Sequence, residues 1–275
     1  MLNIMTEKLS IVYMVAGISS RFGGKIKQFA RVGPNGETLI EYSVKQAISA
    51  GFDHIVFIVG EKTERPFKEM FGDSYLGKSV FYALQKFDSA TRDRTWGTGD
   101  ALCSARHLLH GPFVVCNGDD IYGVESFRIL ANHLRINSCE ATLGFRLGDC
   151  IPDAGKTNRG MYKLDSGGKV RKIVETFNIE KPLLREQGLN PDDLCSMNIF
   201  ALHEGVVDLL YERLSDFKKE NEGDRKIEFL LPNELSGLIE ENKISMNLYS
   251  TPDRWFGVTN PDDEGIVRQQ LAVFK

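Results

Sequence analysis

Along the first 120 residues, short β-branched runs alternate with stretches of helical spacing, and this alternation restricts the possible folds more than any other feature. LSIVYMVA (9–16), HIVFIVG (54–60), VFYALQ (80–85) and PFVVCNGDD (112–120) read as strands. Between the first two, ETLIEYSVKQAISAG (37–51) sets Leu39, Ile40, Val44, Ala47 and Ile48 at helical spacing and closes on Gly51. A short helix is expected in KTERPFKEMFG despite its proline, and another in GTGDALCSARHLLHG, opened by Thr98 and Asp100. Such repetition calls for an α/β fold of three layers, α-β-α, around a mostly parallel central sheet.

After about residue 138 the pattern loosens. CEATLGFRLG, GMYKLDSGGKVRKIVET and LCSMNIFAL read as strands, with a hairpin turn at DSGGK, so a β-hairpin region is added to the sheet. Helices are expected at 203–220 and about 226–242, then the strand ISMNLYS and a last helix from about 261. No repeat, low-complexity segment or linker divides the chain, which predicts one domain over residues 1–275.

Composition removes several function classes. A net charge of -4 gives no reason to expect nucleic acid or an anionic membrane as partner. No apolar run approaches the roughly 20 residues of a membrane span. The N-terminal stretch carries a glutamate and lacks a basic start, which argues against a signal peptide. Five scattered cysteines without a CxxC pair read as reduced thiols of a cytoplasmic protein. Five histidines without HxxxH or HxH spacing argue against zinc.

The first strand runs into VAGISSRFGGKIKQ (15–28), a loop of glycine, serine and cations with no apolar period. Several backbone N–H groups can converge in such a loop and bind an anion, usually a phosphate. Arg21 and Lys27 add positive charge, and NGDD (117–120) reaches the same carboxyl edge, where open α/β sheets take their ligands. Neither GxxxxGK[ST] nor GxGxxG is matched.

The loop resembles the signature AGxGxRxxxxxxPK of the sugar-phosphate nucleotidyltransferases. Ala16, Gly17 and Arg21 fall on it, and Lys27 is matched to its lysine two positions early; Ser19 stands where the family has its second glycine, and the proline before the lysine is missing. The resemblance continues through VGPNGETLIEYSV, ALQ…GTGDAL, VVCNGDDIYG, RGMYKLDSGGKVRKIVET, SMNIFAL and WFGVTNPDD, nearly the whole chain. It implies the Rossmann-like nucleotide-diphospho-sugar transferase fold, with a nucleotide-binding part over about 1–137 and an acceptor-binding part over about 138–275.

Residue by residue, the resemblance implies Ala16, Gly17, Ser19, Ser20, Gln85, Gly99 and Asp119 as nucleotide contacts. It implies Gly160, Glu175 and Asn198 as acceptor contacts, Arg21 and Lys27 as the catalytic cations, and magnesium held by Asp119. The family's second metal carboxylate lies in a WxDxGT-like segment; here that segment reads WFGVT, which leaves two readings, Asp262 or Asp263 as the substitute, or the metal held by Asp119 and water alone. The implied partners are a nucleoside triphosphate and a sugar-1-phosphate, with a homo-oligomer left open. Phosphocholine or another small phosphate as acceptor, and a non-catalytic nucleotide-binding module, stand as alternatives. A glycosyltransferase sharing this fold would lack the Arg21–Lys27 loop, which serves a triphosphate.

Overall fold

Strand β1 (Ser10–Met14) sends Ile11 and Tyr13 to one face and Val12 to the other, and all three are fully buried. Strands β2 (His54–Val59) and β5 (Phe113–Asn117) behave alike, with Ile55, Phe57, Val114 and Cys116 on the first face and Val56, Ile58, Phe113 and Val115 on the second. A strand covered on both faces must be apolar throughout, which is why these runs show no polar alternation. The computed structural model describes residues 8–17, 22–24, 26–153, 155–258 and 263–273. Ser19, Ser20, Arg21 and Asp262 lie outside the described residues.

The connecting helices are α1 (Leu39–Ser49), α2 (Glu64–Phe71), α3 (Thr98–Ser104) and α4 (Val124–Ile136). A reciprocal capping box starts α1: Thr38 N donates to Glu41 Oε2 at 2.9 Å, and Glu41 N donates to Thr38 Oγ1 at 3.3 Å. Pro66 falls in the first turn of α2, where its missing N–H costs nothing. Helix α4 is not anticipated by the sequence reading above, although Phe127, Leu130, Ala131 and Leu134 repeat at helical spacing and are buried. Its cap comes from far along the chain, because Asp253 Oδ2 accepts from Ser126 N at 2.8 Å.

Beyond β6 (Asp120–Ile121) follow β7 (Glu140–Arg146), the one-turn α5 (Leu147–Cys150), β8 (Thr157–Leu164), β9 (Lys169–Ile179), β10 (Leu194–Ser196) and β11 (Ile199–Leu202). Then come α6 (Glu204–Glu220), α7 (Leu231–Glu240), β12 (Met246–Ser250), β13 (Phe256–Gly257) and α8 (Asp263–Val273). Helix α7 starts five residues later than its expected 226, at a turn that carries Pro232. The expected helix at 97–111 is α3 followed by a 3-10 turn at Arg106–Leu108.

With β3 (Ser74–Tyr75) and β4 (Lys78–Leu84), eleven strands form one sheet in the order β10-β8-β9-β12-β7-β11-β5-β1-β2-β4-β3. Strands β5, β1, β2 and β4, the four runs first expected, are parallel neighbours. Helices α1, α2 and α4 cover one face and α3, α6 and α7 the other, giving the three layers the alternation demands. The added hairpin is β8–β9, turned by Asp165, whose Oδ1 accepts from Gly167 N and Lys169 N at 2.8 and 2.9 Å. None of the five cysteines is in a disulfide. Among the described residues no helix is long and apolar enough to cross a membrane.

Candidate active site

Parallel order delivers the ends of β1, β2, β4 and β5 to one edge of the sheet. Ala16 and Gly17 leave β1 there, Gln85 follows β4, and Gly118 and Asp119 follow β5. The chain returns to that edge in a 3-10 turn, Lys27–Phe29. Lys27 Nζ donates to Asp119 Oδ2 at 2.8 Å, so the two charged groups expected around one triphosphate are in contact. Next to Lys27, Gln28 is buried, and its Oε1 has no hydrogen-bond partner among the described residues.

Asp120, the neighbour of Asp119, looks like a turn residue in sequence. It is instead in strand, paired antiparallel with Gly257 and only 5% exposed. Its Oδ2 accepts from Asn117 Nδ2 at 2.9 Å and lies 3.2 Å from Tyr122 Oη, whose single hydrogen is shared with the nearer Met197 O at 2.8 Å. Burial, and then the charge of Asp119, push its carboxyl from 3.8 up to about 7. Two adjacent carboxylates, one exposed enough to reach ligand and one destabilised by its neighbour's charge, form a donor set that a hard divalent cation fits. Magnesium takes only one or two carboxylates and completes its shell from phosphate and water.

The raised value has a stability consequence. A carboxyl that holds its proton more tightly when folded favours folding at low pH, and that contribution disappears as pH rises from about 4 through about 7. Asp120→Asn retains an acceptor for Asn117 and Tyr122 but has no charge to bury. In chelator its melting temperature is expected to exceed that of the unaltered protein by a few degrees at pH 8, and by clearly less at pH 5. Differential scanning fluorimetry at both pH values checks this, and an equal gain at both would refute it.

Asp119 and Asp120 open into a cavity of about 340 Å³, walled also by Arg159, Gly160, Glu175 and Asn198. All three expected acceptor contacts and the expected metal ligand therefore share one space. The antiparallel β8–β9 ladder sets Gly160 opposite Glu175. A Cβ at position 160 would lie 3.8 Å from Glu175 Oε2 and 3.0 Å from Ile173 Cγ2, so glycine keeps the floor open. Partial burial raises the Glu175 carboxyl, and Arg159 lowers it in part. Asn198, between β10 and β11, has φ of 56°, a left-handed conformation that asparagine accepts more readily than most side chains.

Arg159 and Trp255 are wall residues that sequence reasoning missed. Arg159 sits inside the quoted segment beside Gly160, and Trp255 opens WFGVT, so both lay within the resembling stretches. The Arg159 guanidinium donates to Thr157 Oγ1 and Asn158 O, each at 2.9 Å, and lies 5.7 Å from the Trp255 ring centre. Asp263, the neighbour of the expected Asp262, lines a different cavity of about 680 Å³ against α8.

Gln85 and Gly99 lie apart from the acceptor cavity. Gln85 is buried, and its Nε2 donates to Gly97 O at 3.0 Å and to Asp100 Oδ2 at 2.8 Å. Gly99 packs on Phe229: a Cβ there would stand 2.5 Å from Phe229 Cδ1, and Gly99 N donates to Phe229 O at 2.9 Å.

Comparison with known proteins bears on the family and the fold. The bifunctional protein GlmU of Acetivibrio thermocellus is 29% identical over 209 residues, covering 74% of this chain and 41% of that protein. The chain thus spans about two fifths of the length of that curated relative. A UDP-glucose pyrophosphorylase solved with UDP-glucose superimposes with a TM-score of 0.68 at 15% identity, covering 98% of this chain and all of that one. A UTP-bound UGPase from Acinetobacter baumannii gives 0.63 at 17% identity, covering 98% and 94%. At these identities the structural likeness speaks for the fold alone. The nucleotidyl transferase family model matches residues 25–238, most of the chain, from the segment before Lys27 into α7. By that match, and as its loop, its aspartate strand and its hairpin imply, the chain belongs to the nucleotidyl transferase family.

Proposed function

We propose that the protein transfers a nucleotidyl group from a nucleoside triphosphate to a sugar-1-phosphate, releasing pyrophosphate, with magnesium as cofactor. The observation that carries this reading is the contact of Lys27 with Asp119, a residue of the cavity wall, where a cation for phosphate and a carboxylate for metal meet. The nucleophile, a phosphate oxygen, is already ionised, so the reaction requires no general base. Its barrier is the approach of one anion to another and the charge that gathers on the departing pyrophosphate. Lys27 supplies a point charge at the α-phosphorus or at the incoming phosphate, and Arg21 supplies a donor fork for the β- and γ-phosphates. Asp119, with Asp120 behind it, would hold magnesium, which when bound would supply positive charge against the phosphates.

The acceptor reading rests on the wall chemistry. Glu175, Asn198, Asn158 and Ser196 offer a carboxylate, two amides and a hydroxyl, which suit the alternating donors and acceptors of a polyhydroxyl ring. A quaternary ammonium such as choline calls for an aromatic cage, and Trp255 is the one aromatic among the described residues of this wall. The polar wall therefore favours a sugar phosphate over phosphocholine.

The test is pyrophosphate release across four nucleoside triphosphates and a panel of sugar-1-phosphates. Activity is expected with at least one pair and is expected to stop in chelator. Arg21→Ala and Lys27→Ala are each expected to lower turnover by about 10²-fold or more, with circular dichroism unchanged. Near-full release by either variant would remove that residue's assigned role, and no release with any pair would leave a nucleotide-binding module.

A further inference from the structure

The buried contacts behind Gln85 determine what that side chain can say to a base. Both hydrogens of its amide are committed: Nε2 donates to Gly97 O at 3.0 Å and to Asp100 Oδ2 at 2.8 Å. Neither partner can donate in return, since one is a backbone carbonyl and the other a carboxylate that accepts from Lys218 Nζ at 2.7 Å through Oδ1. Turning the amide over would set its oxygen against two acceptors. The orientation is therefore fixed, and Oε1, which has no hydrogen-bond partner among the described residues, is the part left for a ligand.

The frame around this group is rigid. Gly97 precedes α3, and Asp100 lies in its first turn, 6% exposed. Segment 96–99 is tied to the chain entering α7 by three bonds: Phe229 N to Trp96 O at 2.6 Å, Gly99 N to Phe229 O at 2.9 Å, and Leu231 N to Thr98 Oγ1 at 2.9 Å. Lys218 arrives from α6, so Asp100 is gripped from a different helix than its own.

We infer that Asp100, anchored by Lys218, is a positioning residue that makes Gln85 an acceptor only, and that the pocket therefore selects a lactam base: uracil, thymine or guanine over cytosine or adenine. The inference rests on the nucleotidyl-transfer reading, in which Gln85 meets the base. A ring N–H is satisfied by one acceptor, which is what Gln85 Oε1 offers. An exocyclic amino group brings two hydrogens, and the neighbouring acceptors, Gly97 O and the Asp100 carboxylate, are already engaged. Cytosine N3 and adenine N1 would set a lone pair against the amide oxygen. Asp100 itself touches no substrate; it acts through Gln85.

Titration calorimetry with UDP, CDP, GDP and ADP tests this on the unaltered protein and on Asp100→Asn, with pyrophosphate release measured in parallel. The unaltered protein is expected to bind the lactam member of the ring size it accepts about tenfold or more tightly, as one net hydrogen bond allows. Asp100→Asn places an amide that can both donate and accept behind Gln85, so the preference is expected to shrink to within about threefold while the melting temperature holds. Should that variant not fold, Lys218→Met, cut at the outer end of the contact, is expected to narrow the ratio in the same direction. Tighter binding of CDP than UDP together with ADP over GDP would overturn the inference. So would an unchanged ratio in the variants. Pyrophosphate release without base discrimination removes the role of Asp100 and leaves the transfer reading standing; discrimination without release does the reverse.

Discussion

Asp119→Asn is expected to lower turnover by about 10²–10³-fold at low magnesium and to move the melting temperature by no more than about 2 °C. Position and charge both argue for so large an effect. The sheet carries Asp119 past the end of β5 to the edge where Lys27 waits at 2.8 Å, and its side chain is a third exposed, so it can reach a ligand. A carboxylate among phosphates is repulsive unless a cation lies between them, so removing its charge removes the reason for the cation to bind. The stability effect is small because the one bond lost is a partly exposed ion pair. Steady-state kinetics across a magnesium titration, with fluorimetry beside it, reads both quantities. Full activity for the variant at low magnesium would mean that the metal is held elsewhere.

A second replacement is expected to act on stability alone. Phe57 in β2 is fully buried, and its ring packs against Phe71, Phe67, Tyr13 and Tyr82 at centroid distances of 4.7, 5.1, 5.9 and 5.9 Å. Phe57→Ala leaves a void that a strand fixed by parallel neighbours on both sides closes poorly. The cost is expected at about 3–5 kcal/mol, or a fall of roughly 10 °C in melting temperature. Substrate KM at 15 °C is expected to stay within twofold, since Phe57 belongs to the core beneath α2 and not to the cavity wall. A fall of less than about 3 °C would show that the aromatic cluster repacks.

The parallel half of the sheet was readable because β1, β2 and β5 are apolar along their whole length, a pattern that suits a strand buried on both faces. Helix α4 carries an equally plain apolar period but no local start signal, because Gly123 precedes it without a side-chain cap and the capping carboxylate is Asp253. Lys27, Asp119, Gly160, Glu175 and Asn198 were named as candidates through resemblance, each lying in a segment whose order along the chain matches a family, and the structure sets Lys27 against Asp119 and the other three around the same cavity. Asp120 was misjudged because burial cannot be read from a dipeptide: the partner that turns it into strand, Gly257, is more than 130 residues away in sequence. Arg159 and Trp255 were hidden for the same reason. In sequence the Gln85 amide is free to donate and accept, and only the spatial arrival of Gly97 and Asp100 removes the donors.

One pairing has a bearing on how the chain is made. Strand β11 is wedged between β5 and β7, antiparallel to both. A nascent chain that has completed β5 at Asn117 therefore exposes that strand's outer edge until Leu202 emerges, about 85 residues later. At a synthesis rate of about 5–20 residues per second the interval is roughly 4–17 s. During it, Phe113–Asn117 presents unpaired backbone N–H and C=O groups along an apolar strand, a template that another unfinished chain can join. Occupation of that edge by any partner other than Ile199–Leu202 would also keep Asn198 from the cavity, so a strand mispaired during synthesis would be inactive even with every active-site residue present.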